Sequence, residues 1–339
     1  MFVLGIETTC DETAASIVVS GDEILSNVVF SQQHLHKKFG GVYPELASRS
    51  HIDKILIVIE EASKKANKKL EEIDLIAVAK KPGLIGSLLI GLNTAKTLAL
   101  ALNKPFIGIN HVEAHLYASM MGKLKDLIYP ALGVVISGGH TMLLKIFDIG
   151  SYEIIGTTID DAIGESFDKV ASILGFAYPG GPEIEKIAIN GDMKKYKFRA
   201  GRIDTNPFDF SFSGLKTKVL YTVKGQSARK NSPSLINEEE KKHIAASFQK
   251  CAFEDLIKKS ILAVEEFNLR AIYFGGGVTN NQTLRKMFEE EEIGLPLFWP
   301  EKGLSLDNAA MIAGLAFHKF KKNFKSDELD IQAETTSSF

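Results

Sequence analysis

The sequence predicts an α/β protein of two related lobes facing a cleft, and a repeated plan is what predicts it. Leu4 to Val19 reads as a hairpin whose turn, Thr8-Thr9-Cys10-Asp11-Glu12, is short and polar, and Leu132 to Phe147 repeats the unit around Ser137-Gly138-Gly139-His140. A second pair follows: strand Leu75 to Ala79, a Pro-Gly loop and helix Ser87 to Leu102 are echoed by strand Ala271 to Phe274, a triple-glycine loop and helix Gln282 to Glu292. With 339 residues, 45% of them hydrophobic, the chain is long enough to bury two cores.

Between these units, Asp53 to Lys65 reads as a helix with Ile55, Leu56, Ile59 and Ala62 at helical spacing, a face for the core or for a partner. Pro105 to Ile109 reads as a strand, and Asn110 as the start of a helix. Asp307 precedes a strongly helical segment and is placed to cap it. The apolar run Leu84 to Leu102 is broken by Asn93 and Lys96, so it reads as a buried helix rather than a membrane span. Residues 326–339 are polar and aperiodic, and are expected to be a disordered tail. The expected division is a first lobe of 1–110, joined by the C-terminal helix of about 307–325, and a second lobe of 111–306.

The net charge of −2 excludes indiscriminate binding of polyanions but leaves room for local basic surfaces. Lys194 to Arg202, Lys216 to Lys230 and His318 to Lys325 are the basic segments, and each is equally a solvated face. Two cysteines, Cys10 and Cys251, are too few for a disulfide framework and fit a reducing compartment. The first seven residues have no basic leader and reach an acid at Glu7, so no signal peptide is read there. A soluble, cytoplasmic protein without a membrane partner is expected.

His111-Val112-Glu113-Ala114-His115 places two imidazoles one helical turn apart, where both can reach one metal ion. Glu113, three residues after Asn110, fits a capping box, and an exposed histidine face needs no metal at all. A metalloprotease would carry its glutamate directly after the first histidine, so that reading weakens. Asp307 is the candidate third ligand; a set of two histidines and one carboxylate suits iron(II) or zinc(II) and leaves positions open.

Glycine- and serine-rich turns let successive backbone N–H groups converge on phosphate oxygens, as Ser137-Gly138-Gly139-His140-Thr141 can do. A single such turn is weak evidence; two in equivalent repeat positions, with Gly275-Gly276-Gly277 before a helix, point to a nucleotide site. Asp11 and Glu12 would repel an anion, so Glu12 is read as orienting a cation or water, or as part of a solvated hairpin tip. Asp161, Glu165 and Asp168 share roughly one helical face that can accept ribose hydroxyls or lie in water. Gly180-Gly181 in Tyr178-Pro179-Gly180-Gly181-Pro182 admits a ring close to the backbone, or is a plain sharp turn.

Taken together, Glu7-Thr-Thr-Cys-Asp-Glu-Thr13, Tyr43-Pro-Glu-Leu-Ala-Ser-Arg49, Asn110-His-Val-Glu-Ala-His115, Ser137-Gly-Gly-His-Thr141, Asp160-Asp-Ala-Ile-Gly-Glu165, Phe208-Asp-Phe-Ser-Phe-Ser-Gly-Leu-Lys-Thr217 and Asp307-Asn-Ala-Ala-Met-Ile312 resemble the bacterial tRNA N(6)-adenosine threonylcarbamoyltransferase family, once labelled glycoprotein endopeptidases. The resemblance runs in order over about residues 1–320. It implies two ribonuclease-H-like lobes in the actin- and Hsp70-like ATPase (ASKHA) architecture. It implies threonylcarbamoyl-AMP as donor and adenosine 37 of tRNAs reading codons that begin with A as acceptor. By the same resemblance His111, His115 and Asp307 are the metal ligands, for iron(II) or zinc(II). Val135, Ile136, Ser137, Gly138 and Gly139 form the phosphate and substrate loop, and Asp168, Gly181, Glu185 and Asn281 hold the adenine nucleotide. Glu12 and His140 are further candidates on the phosphate side; no general base is assigned. The family also implies a catalytically silent paralogue, paired through first-lobe helices, and a small ATPase.

Two positions depart from the family pattern. Glu185 stands where aspartate is common, and Lys81 where the loop before Pro82-Gly83-Leu84 usually carries glycine, which removes freedom at positive φ. Two further readings use the same features: a two-lobed small-molecule kinase, which needs no paired histidines, and a non-catalytic nucleotide-binding scaffold.

Overall fold

A computed structural model describes residues 1–201, 203–226 and 232–336. Strands β1 (Phe2–Glu7), β2 (Glu12–Val19), β3 (Glu23–Ser31), β4 (Leu75–Lys81) and β5 (Phe106–Asn110) form one sheet in the order β3-β2-β1-β4-β5. Strands β6 (Ala131–Ile136), β7 (Thr141–Asp148), β8 (Ser151–Thr157), β9 (Ile272–Gly275) and β10 (Leu297–Phe298) form a second, in the order β10-β9-β6-β7-β8. Counted within its own sheet, each runs third, second, first, fourth, fifth. The predicted duplication is therefore a duplication of topology.

The helices are α1 (Gln33–His36), α2 (Pro44–Ala66), α3 (Ile85–Leu102), α4 (His111–Tyr117), α5 (Ile163–Leu174), α6 (Gly180–Ala188), α7 (Ser213–Lys224), α8 (Glu238–Phe267), α9 (Gln282–Glu290) and α10 (Ala309–Asn323). One compact unit holds residues 1–128, 146–152 and the described residues from 298 on; the other holds 129–145 and 153–297. Helix α4 thus belongs with the first sheet, not with the second lobe as expected from a boundary at 110. The reason is local: α4 follows β5 without a break and packs against β4, β5 and α10.

In the first unit β1 pairs antiparallel with β2 and parallel with β4, which pairs parallel with β5. Leu75 to Ala79 of β4 are all buried, as expected of a parallel strand covered on both faces. Ile55, Ile59 and Ala62 of α2 enter this core with Leu92 and Ala95 of α3, whereas Leu56 is 67% exposed. Helix α3 is, among the described residues, the one long and apolar enough to cross a membrane, yet Leu88, Leu92, Ala95 and Ala99 are buried within the unit.

The tail is ordered where it is described, contrary to expectation. Ser326 and Asp327 bond along the free edge of β5: Phe106 N donates to Ser326 Oγ (3.0 Å), Asp327 N to the Phe106 carbonyl (2.9 Å) and Gly108 N to Asp327 Oδ2 (2.8 Å). Glu334 N then reaches the Lys80 carbonyl at 3.0 Å, and Ile331 and Ala333 pack on the core. An edge strand left bare would offer these groups to another chain. Residues 337–339 lie outside the described residues.

Candidate functional site

Parallel strands β1 and β5 end at the same edge of the first sheet, and the chain delivers polar side chains there. Glu7 is the last residue of β1, and Asn110, the last of β5, caps α4 by accepting from Val112 N (2.9 Å) and Glu113 N (3.3 Å). That cap starts the helix at His111, so His111 and His115 lie one turn apart and meet edge to face, with ring centroids 4.4 Å apart. Glu113 does not complete a capping box; its carboxylate pairs with Lys319 of α10.

The third donor comes from the far end of the chain. Asn308, not Asp307, caps α10, accepting from Met311 N at 3.2 Å, which corrects the expected role of Asp307. Released from capping, Asp307 Oδ1 lies 3.0 Å from His115 Nε2 and 3.5 Å from His111 Nε2. A β-carbon on Gly5 would sit 2.3 Å from the Ala309 carbonyl, so glycine in β1 is what lets the start of α10 come this close. The ligand atoms of His111, His115 and Asp307 lie within 4.8 Å of one another and can hold one metal ion.

The donor set fits such an ion. His115 is 1% exposed, and neither of its ring nitrogens has an aligned hydrogen-bond partner. An uncompensated buried imidazole is costly. A cation at Nε2 would satisfy that nitrogen, and Asp307, 22% exposed, leaves the site open on one side.

In the second unit Val135 and Ile136 are fully buried in β6, so only their backbone can serve a ligand. Ser137 N donates to the His140 carbonyl (2.8 Å), while Ser137 Oγ accepts from Gly139 N (3.3 Å) and His140 N (3.1 Å), closing the β6–β7 turn. A β-carbon on Gly138, Gly139 or Gly181 would meet nothing within 4 Å, so all three present backbone to open space. Gly276, at φ +94, lies against the Ile136 carbonyl, only 2.4 Å from where a β-carbon would stand. Asp168 Oδ1 accepts from Gly180 N (2.7 Å), Glu185 Oε1 from Gln282 N (2.6 Å), and Asn281 caps α9 through Leu284 N (3.0 Å). The longer Glu185 side chain is thus used to reach the start of α9.

Asp161 and Glu165 part company with Asp168. Helix α5 begins only at Ile163; Asp161 pairs with Lys169 and Lys216 (both 2.6 Å), and Glu165 with Lys169 (2.7 Å). Lys195 likewise pairs with Glu240 at 2.6 Å, so part of the expected basic surface is already neutralised. Arg202, Arg229 and Lys230 lie outside the described residues. Lys81 ends β4 opposite Asn110 and is not among the residues at positive φ, so the lysine is compatible with this loop.

The model of the tRNA N6-adenosine threonylcarbamoyltransferase family matches residues 23–314. The chain belongs to this family. It is 58% identical over 335 residues to the tRNA N6-adenosine threonylcarbamoyltransferase of Protochlamydia amoebophila (strain UWE25), covering 99% of this chain and 97% of that one. Against the protein of the same name from Bacillus subtilis (strain 168) it is 45% identical over 328 residues, covering 96% and 92%. Among solved structures, HypF of T. kodakarensis matches with a TM-score of 0.61 at 15% identity, covering 94% of this chain and 47% of that one. The ROK hexokinase of Thermus thermophilus matches with a TM-score of 0.51 at 14% identity, covering 95% and 100%. These likenesses show the fold alone, a two-lobed α/β fold. The kinase reading gains nothing from them.

Glu7 is the residue that sequence reasoning passed over in this family member. It is fully buried; its Oε2 lies 2.8 Å from His111 Nδ1 and its Oε1 accepts from Thr9 N at 2.5 Å. A signal was present, since one acid closes a strand otherwise free of polar side chains. Burial opposes charge on His111, but the Glu7 and Asp307 carboxylates prevail and hold it up to about 9. Burial, with Asp307 and Asp11 nearby, pushes the Glu12 carboxyl up from its ordinary value. Glu12 Oε1 accepts from Ser31 Oγ at 3.0 Å. Cys10 and Cys251 are both free thiols.

Proposed function

We propose that this chain transfers the threonylcarbamoyl group from threonylcarbamoyl-AMP to the exocyclic amine of adenosine 37 in tRNAs reading codons that begin with A. The observation that carries the reading is the approach of Asp307 to His111 and His115 within a chain of this family. The reaction replaces a carbamoyl–phosphate bond by a carbamoyl–nitrogen bond, expels AMP and releases one proton. His111, His115 and Asp307 would hold the metal, iron(II) or zinc(II), which when bound supplies Lewis acidity toward the carbamoyl carbonyl.

The chain's own residues do the binding and orienting. The Ser137-Gly138-Gly139 turn, whose glycines leave its backbone open on one side, receives the phosphate. Gly181 leaves room for a ring beside α6, and Asp168, Glu185 and Asn281 stand around it with side chains already oriented by backbone bonds. Adenosine 37, next to the anticodon, is reached as an unpaired base.

The partners belong to the same proposal. Ile52, Leu56 and Ile57 of α2 with Ile85 and Leu89 of α3 are exposed apolar residues on two helices that pack together, a face suited to a paralogous chain. A small ATPase completes the set, in the cytoplasm where tRNA is found. Incubation of the protein and its partners with unmodified tRNA and synthetic threonylcarbamoyl-AMP is expected to yield a nucleoside heavier by one threonylcarbamoyl group. Transfer that persists undiminished in metal-free His111→Ala overturns the role given to the histidines.

A further inference from the structure

We infer that Glu7 is a positioning residue for the metal centre: it holds the His111 ring so that Nε2, and not Nδ1, is offered to the ion. The inference rests on the three-ligand reading above and adds a fourth side chain to it. His111 has two ring nitrogens, and the one that does not bind the metal must carry the proton. Glu7 Oε2 lies 2.8 Å from Nδ1, while Nε2 faces Asp307 at 3.5 Å on the side where His115 also points. An ionised carboxylate only accepts, so this contact requires hydrogen on Nδ1, and in the neutral ring that binds a metal the bare nitrogen is then Nε2.

Glu7 is itself held at both oxygens. Its Oε1 accepts from Thr9 N, and Thr9 Oγ1 lies 3.4 Å from the same Nδ1, so the backbone turn after β1 fixes the carboxylate. That turn is anchored in its own right: Leu84 N donates to the Thr9 carbonyl (2.8 Å), and Ser87 Oγ (3.3 Å) and His51 Nε2 (3.1 Å) both approach the Cys10 carbonyl. A carboxylate with no exposed surface, bonded on both oxygens beneath a candidate ligand, has no solvent role. Its neutral isostere cannot serve both neighbours: turned one way, an amide NH2 meets Nδ1 and drives the ring proton to Nε2; turned the other, it meets Thr9 N donor to donor.

The test uses zinc as the probe on the full chain. In protein with 15N-labelled histidine loaded with zinc, the His111 ring is expected to show hydrogen on Nδ1 and metal on Nε2, with His115→Ala used for assignment. Metal on Nδ1 overturns the inference, and this measurement needs no Glu7 variant to fold. In competition with a chelator, Glu7→Gln is expected to bind zinc about 10- to 100-fold more weakly while keeping its circular dichroism. A folded Glu7→Gln with unchanged zinc affinity overturns it. Unchanged affinity in His115→Ala instead refutes the three-ligand site itself, so the two failures are told apart.

Discussion

Asp307 and Asn308 are adjacent residues with separate tasks, and their separation is testable. Asn308 caps α10 and also donates from Nδ2 to the carbonyls of Leu304 (3.2 Å) and Leu306 (2.8 Å), whereas Asp307 turns toward the histidines. Asn308→Ala is expected to lower stability by about 1 kcal/mol or more, since a cap and two loop bonds vanish together. Asp307→Ala is expected to leave the denaturation midpoint of metal-free protein nearly unchanged and to abolish metal uptake. Chemical denaturation and elemental analysis of both variants check this, and the reverse pattern would reassign the two residues. Sequence pattern alone marked the three residues whose ligand atoms the fold brings together but gave the cap to the wrong neighbour, because Asp and Asn both satisfy the N-cap rule and only the approach of α10 to β1 over Gly5 decides between them. Glu7 was missed for a related reason: a buried acid is explained by its partner, and its partner lies 104 residues away.

Whole elements were more legible than their ends or their company. The hairpins, the strand–loop–helix pairs and the inward side of α2 follow from periodicity, which is a local property. The segment after α10 has no periodicity, and its order comes from bonds to Phe106 and Gly108 that span 220 and 219 residues. No local pattern can announce such pairing. Its consequence is specific to β5. A chain ending at Asn323 loses the bonds from Ser326 and Asp327 and bares the outer edge of that strand. Hydrogen exchange at the Phe106 and Gly108 amides is expected to accelerate, and the truncated protein to associate in light scattering as its concentration rises. Unchanged protection of those two amides would show that the tail merely lies on the strand.

Two sheets of one topology make the whole molecule a duplication, but the copies have diverged in what they carry. The polar side chains of the first unit gather at the ends of β1 and β5 and at the start of α10; in the second unit the turn after β6 offers backbone groups and open glycines instead. Glu7, His111, His115 and Asp307 all fall within one compact unit, with its own sheet and core. A ligand stabilises only the states that bind it, by about 2.7 kcal/mol when its free concentration is a hundred times its dissociation constant. Zinc added to metal-free protein is therefore expected to slow hydrogen exchange in β1, β5, α4 and the first turn of α10, and to leave β6, β7 and β9 as they were. Domains with separate cores unfold in separate steps, so a chelator should lower only the transition that carries those four segments. Equal protection of β6 and β9 by zinc would mean that the ion is held by residues of the second unit, and the His111, His115 and Asp307 centre would have to be abandoned.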